Sequence, residues 1–276
     1  MRKFVSNLII EWCDQPQDGS VILFGQKATT PLSKTSLTPS RMSRDPWVVG
    51  SIPRSPPPVA TLAIVDWMTR APMSVLARNW IFHVHPRLLK LDGSQIRQQL
   101  VGSHPLCDDM CSLLMRRLGQ IDAASSKDSK GKRWWKIMEP DFSQVIVLSN
   151  IDPLSVQSIH NQFISDAREF NPVTARMYVI PTQIEDCWCV YHFDMLEKCV
   201  HVLDPSAGTD GFSNRQLKLH QFVSDKLLTA LFVCVKAFYD NWSCGTDGWT
   251  RRFPIIISEN FKGSVKCATL FFTYIF

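Results

Sequence analysis

Residues 184–208 read IEDCWCVYHFDMLEKCVHVLDPSAG. Cys187, Cys189, Tyr191 and Phe193 alternate with Trp188, Val190, His192 and Asp194, which sends the two sets to opposite faces of a strand. Asp194 to Lys198 supplies a polar turn, and Cys199 to Leu203 a second strand. The stretch is a β-hairpin that opens on Cys187-Trp188 and closes on Leu203-Asp204-Pro205.

Helical and extended patterns flank the hairpin. Val59 to Met68 is apolar and helical, and Asn79 to His83 is short, aromatic and extended. Asp92-Gly93-Ser94 turns the chain, with Ser94 as a candidate N-cap. Leu106, Met110, Leu113, Leu114 and Leu118 form a helical stripe. Ala123 to Arg133 reads as a polar loop, and Gln144 to Ser149, QVIVLS, as a buried strand. Val156, Ile159, Phe163, Ala167 and Phe170 repeat at helical spacing after Pro153. Met177 to Ile180 reads as a strand, and about 215 to 239 as a long helix. A loop, NWSCGTDGWTRRF, then leads to the apolar run PIIIS. Strands and helices segregated in this way predict an α+β fold with a mixed central sheet flanked by helices.

Residues 1–58 differ from the rest. Segments such as TTPLSKTSLTPSRMSRDP and IPRSPPP are rich in Pro, Ser and Thr and bury little apolar surface. They predict a low-complexity tail and linker, with a stray strand at Val21 to Phe24, before one domain over 59–276. The 276 residues, 45% of them hydrophobic with 9 Trp and 16 Phe, suffice for a sizeable core.

The net charge of +5 is mild and no long basic run stands out, so no nucleic-acid partner is expected. No apolar run reaches the roughly 18 residues of a membrane span, and residues 227–238 are interrupted by Lys236. The N-terminus lacks a small-residue cleavage site, which argues against secretion. The nine cysteines include no CxxC pair at zinc spacing, and Cys187 and Cys189 are too close to bond each other comfortably. Reduced thiols in a nuclear or cytoplasmic compartment, no metal, no cofactor and a monomeric state are the expectations. The Cys107/Cys111 pair is expected to pack within a helix.

Taken together, the hairpin and its surroundings resemble the ubiquitin-like-protein-specific (SUMO-type, Ulp-like) cysteine proteases, in particular a diverged, transposon-associated plant branch. In that family a His-Trp pair opens one strand, an Asp step closes the next, and the catalytic Cys follows at the start of a buried helix. Here Cys187-Trp188 stands where His-Trp belongs. Asp204 comes 17 residues on, and Cys267 lies 63 residues beyond Asp204. Arg54-Ser55-Pro56, Asn79 to His83, Leu106 to Leu118 and Glu139-Pro140-Asp141-Phe142 resemble the same plant group.

The resemblance implies an adenain-type fold, Cys267 as nucleophile and Asp204 as the residue that orients the base. It implies Trp188 as a wall of the channel for a modifier's Gly-Gly tail. The partner it implies is a ubiquitin-like modifier or a modified protein.

The departures are chemical. A thiol at 187 is a poor general base for another thiol. Cys267 is followed by Ala268 instead of Gly, and no glutamine suits the family's oxyanion hole. The chain stops nine residues after Cys267, which is read as a truncated C-terminus. His192 and His201 face away from Cys187 and Asp204 by strand parity, so neither is placed to rescue the dyad. Cys244-Gly245 is a rival nucleophile, set in a turn-rich loop. Simpler roles stand beside these: Cys267 as a buried helix thiol, Asp204 as a turn cap, Trp188 as a core aromatic. A cysteine-type peptidase with weak or no turnover is the leading expectation. A non-catalytic modifier- or protein-binding module and a transposon-derived remnant without function stay open.

Overall fold

The computed structural model describes residues 58–101, 106–126, 135–149, 151–164, 172–185, 187–207 and 211–254. The tail with its linker, the strand expected at Val21 to Phe24, Arg54-Ser55-Pro56, all of PIIIS beyond Pro254, and Cys267 lie outside the described residues.

The described residues begin with helices α1 (Pro58–Arg70) and α2 (Met73–Leu76), then the antiparallel ribbon β1 (Asn79–His83) and β2 (Leu89–Asp92). Next come α3 (Gly93–Val101), α4 (Asp108–Ser126), β3 (Trp135–Ile137), α5 (Pro140–Gln144) and α6 (Gln157–Ile164). Then follow β4 (Met177–Ile184), β5 (Cys187–Asp194), β6 (Cys199–Leu203), the long α7 (Asn214–Phe238) and β7 (Thr250–Arg252).

The main sheet runs β3-β4-β5-β6-β7. Its central strands are antiparallel, and its outer pairs β3/β4 and β6/β7 are parallel. The expected α+β class with a mixed central sheet is therefore found.

Strand parity builds two cores, one on each face of the sheet. Trp188 and Val190 join Met177, Val179, Leu203 and the α4 stripe of Met110, Leu113, Leu114 and Leu118. Cys189, Tyr191 and Phe193 join Tyr178, Ile180, Val200, Val202 and the α7 stripe of Val223, Leu227, Leu231 and Val235. Because β5 is buried on both faces, its sequence is aromatic and apolar at both parities.

The hairpin turn is fixed by Asp194, whose Oδ1 accepts the N–H groups of Leu196 and Glu197, each at 3.0 Å. Lys198 completes it in the left-handed region at φ 48. Arg176 holds the buried Asp194 carboxylate through Nη2 at 3.0 Å.

Four local expectations need correction. Val145–Ser149 is a single π-helical turn, not a strand; it continues α5, so the backbone groups of this apolar run pair along the chain. The cap of α3 is Asp92, which accepts from Gln95 N at 2.8 Å while Gln95 Oε1 accepts from Asp92 N at 2.9 Å. This reciprocal box leaves no capping role for Ser94. Thr250–Arg252, read as loop, is an edge strand. Of the Cys107/Cys111 pair, Cys111 is buried and Cys107 exposed. Among the described residues, no helix is long and apolar enough to cross a membrane.

Candidate active site

The pairing Val190↔Leu203 is the last of the β5/β6 ladder. One step further along that register sets Asp204 across from Cys189. Asp204 thereby shares a sheet face with Cys187, Cys189 and Tyr191, the face covered by α7. The ligand atoms of Cys187, Cys189 and Asp204 all lie within 4.8 Å of one another, and all three residues are buried.

The Asp204 carboxylate is closely held. Oδ1 accepts from Ser206 N at 2.7 Å, and Oδ2 accepts from Ser206 Oγ at 2.8 Å. His220 Nε2 lies 2.9 Å from Oδ2, with both side chains buried. Asp204 thus shapes its turn, as Asp-Pro-Ser readily does, and binds an imidazole as well. Burial alone would raise its pKa, but the hydrogen bonds from His220 and Ser206 overcome that and hold it below the ordinary 3.8.

His220 is the residue that sequence reasoning missed. Its Nδ1 stands 2.7 Å from Tyr191 Oη. In the tautomer that donates Nε2–H to Asp204, Nδ1 accepts the tyrosine O–H, and the three side chains form a buried Tyr191–His220–Asp204 chain. Phe212 and Phe253 pack on the ring at 5.6 and 6.4 Å between centroids. The signal was present in the sequence. His220 continues the stripe of Val223, Leu227 and Leu231 by one step, so a helix begun near 214 carries it against the sheet.

The start of α7 is tied to the same carboxylate. Ser213 and Gln216 form a capping box, and Gln216 Nε2 donates to Ser206 Oγ at 3.2 Å. Ser206 Oγ in turn donates to Asp204.

Cys187 is disulfide-bonded, whereas Cys107, Cys111, Cys189, Cys199, Cys234 and Cys244 are free thiols. Uniformly reduced thiols were expected, and Cys187 departs from that. Burial, and then the Asp204 carboxylate, push the Cys189 thiol well above its ordinary value. Cys244 is also pushed up by burial, with Lys198 opposing it only in part, so its thiol stays protonated at neutral pH.

His192 and His201 pair across the ladder on the α4 face. Burial and the neighbouring His201 lower His192 to about 3. Burial and then Arg252 lower His201, against a smaller upward pull from Asp194. Trp188 also lies on the α4 face; it is 1% exposed and donates its indole N–H to Leu106 O at 2.8 Å.

No protein-family model matches this chain, and no curated protein does. Among solved structures, the chain is similar to the Ulp1-like SUMO protease catalytic domain of Chaetomium thermophilum. The TM-score is 0.51 at 14% identity, over 78% of this chain and 76% of that one. A second match is the yeast C-terminal Ulp1 protease domain in complex with Smt3, the yeast ortholog of SUMO. It has a TM-score of 0.47 at 11% identity, over 77% of this chain and 81% of that one. The likeness is one of fold: this chain has the architecture of a Ulp1-like protease catalytic domain.

Proposed function

We propose that this chain is a diverged ubiquitin-like-protein protease domain, a cysteine-type peptidase by descent, that engages a ubiquitin-like modifier or a modified protein with weak or no hydrolysis. The fold likeness and the ordered motifs of the plant transposon-associated branch support that descent. One observation carries the loss of turnover. The position that opens β5 beside Asp204 holds Cys187, and the imidazole on Asp204 is the buried His220.

In an intact site of this kind, an imidazole takes the proton of the nucleophilic thiol and later passes it to the leaving amine. Cys267, the nucleophile equivalent, would attack the carbonyl carbon after the modifier's terminal glycine. The sulfur at 187, disulfide-bonded in this structure and a poor base even as a thiol, does not provide that base. His220 is 1% exposed, and both its ring nitrogens are engaged, by Tyr191 and by Asp204. General-base help of about 10²–10⁴-fold is forfeited. The domain then acts as a monomeric binding module in the nucleus or cytoplasm, with Trp188 supporting the channel wall from within the core.

The test is to mix the full chain with ubiquitin-like modifiers bearing a C-terminal thiol-reactive warhead, and to measure binding of the unmodified modifiers by calorimetry. Binding without an adduct at Cys267 is expected. A rapid adduct at Cys267 overturns the loss of turnover, and absence of binding by every modifier overturns the partner class.

A further inference from the structure

We propose that Cys187, Cys189 and Asp204 form a binding site for a thiophilic divalent cation of the zinc class, with His220 fixing the carboxylate ligand from behind. The site uses the same corner of the fold but does not depend on whether the domain grips a modifier.

The local geometry derives from β-structure. Residues i and i+2 of a strand present their side chains on one face, about 6.6–6.8 Å apart along the backbone. Cys187 and Cys189 are such a pair, and Asp204 approaches from the adjacent strand. Two sulfurs and a carboxylate oxygen within 4.8 Å of one another form a three-donor cluster. Tetrahedral zinc at about 2.3 Å from each sulfur requires sulfurs roughly 3.8 Å apart. The cluster therefore closes by no more than about 1 Å, within the reach of side-chain rotation.

The second shell is already built. Ligating carboxylates are oriented by their own hydrogen bonds. Asp204 accepts from Ser206 on both oxygens, and from His220 Nε2 at 2.9 Å on Oδ2. His220 is steadied in turn by Tyr191 Oη at 2.7 Å.

Once the disulfide at Cys187 is reduced, a divalent cation stabilises both thiolates beside the carboxylate. The three described donors leave the fourth tetrahedral position for the cysteine released from the Cys187 disulfide, for water or for an added ligand.

The balance is simple. Binding releases the two thiol protons to solvent. The disulfide at Cys187 must first take up two electrons and two protons, from a thiol or phosphine reductant, which frees the Cys187 thiol and that of its partner cysteine.

The full chain, reduced with a phosphine, would be titrated with Co²⁺ and then with Zn²⁺ in competition with a chromophoric chelator. One tetrahedral Co²⁺ with a thiolate charge-transfer band, displaced by Zn²⁺, is expected. Cys187→Ser and Cys189→Ser should each abolish the band, while Cys107→Ser should leave it intact. His220→Gln should weaken Zn²⁺ binding by about 10–100-fold while the band persists. Far-UV circular dichroism checks that each variant is folded. X-ray absorption of the zinc-loaded wild-type chain gives an answer that needs no variant: four neighbours of which at least two are sulfur, with zinc–sulfur near ~2.3 Å. A shell without two sulfurs, a band that survives in both single cysteine variants, or the absence of any band overturns the proposal.

Discussion

Asp204 and His192 illustrate how residues one strand apart meet opposite surroundings. Asp204 accepts three hydrogen bonds from Ser206 and His220 and titrates below its ordinary 3.8. His192 is fully buried on the other sheet face, edge-on to Trp135 at 5.9 Å between ring centroids, and titrates at about 3. For both groups the unfolded chain binds a proton more readily than the folded one. Their stabilisation is present above the unfolded pKa and is lost as pH falls through the folded one. For His192 that window runs from about 6.5 down to about 3. The slope is at most about 1.4 kcal/mol per pH unit for one proton. Urea unfolding followed from pH 7 to pH 4.5 should therefore show a falling midpoint, and His192→Phe should flatten that fall. Equal pH dependence in the two proteins would show that His192 does not govern this limb.

The elements were legible to the degree that their signals were local. The stripe of α4 and the parity of β5 are short-period patterns, and both cores follow them. The π-helical turn at Val145–Ser149 was misread because a short apolar run has no period that separates strand from helix. The cap of α3 was misassigned by two residues because Asp92 and Ser94 are both competent caps, and only the reciprocal bonds with Gln95 decide between them. At the start of α7 the Ser213–Gln216 box satisfies backbone donors and, through Ser206, steadies Asp204. Ser213→Ala should lower unfolding free energy by about 1 kcal/mol in chemical denaturation, and Ser213→Asp should restore most of it. No loss in the alanine variant would mean that the box adds nothing to the packing of α7.

On the scale of the molecule, the sheet separates two cores, and polar bonds tie the α4 side together. Arg116 on α4 meets Glu139, just before α5, through Nε at 2.7 Å and Nη2 at 3.1 Å. It also donates to Arg87 O at 3.0 Å, beyond β1. The Arg116 and Glu139 side chains are 9% and 5% exposed. Burial pushes Glu139 up, and Arg116 draws it only part of the way back. A pair of this kind is costly to break and cheaper to replace whole. Arg116→Met should destabilise the domain by about 3–5 kcal/mol, and adding Glu139→Leu should recover much of that loss. If the double variant is as unstable as the single one, the pair's role is packing and not the compensation of a buried charge.

The sequence by itself determined the hairpin, the face each of its side chains takes, the helical stripes and the presence of a cysteine at position 187. Those follow from periods of two and about 3.6 residues, which act within a single element. Only the tertiary structure decided that His220 is the imidazole on Asp204, and that Cys187, Cys189 and Asp204 share one buried corner. Where α7 crosses the sheet is set by the packing of Val223, Leu227 and Leu231 against Tyr191 and Val202. The choice of partner across that interface depends on which side chains the packing brings together, and no local pattern encodes it.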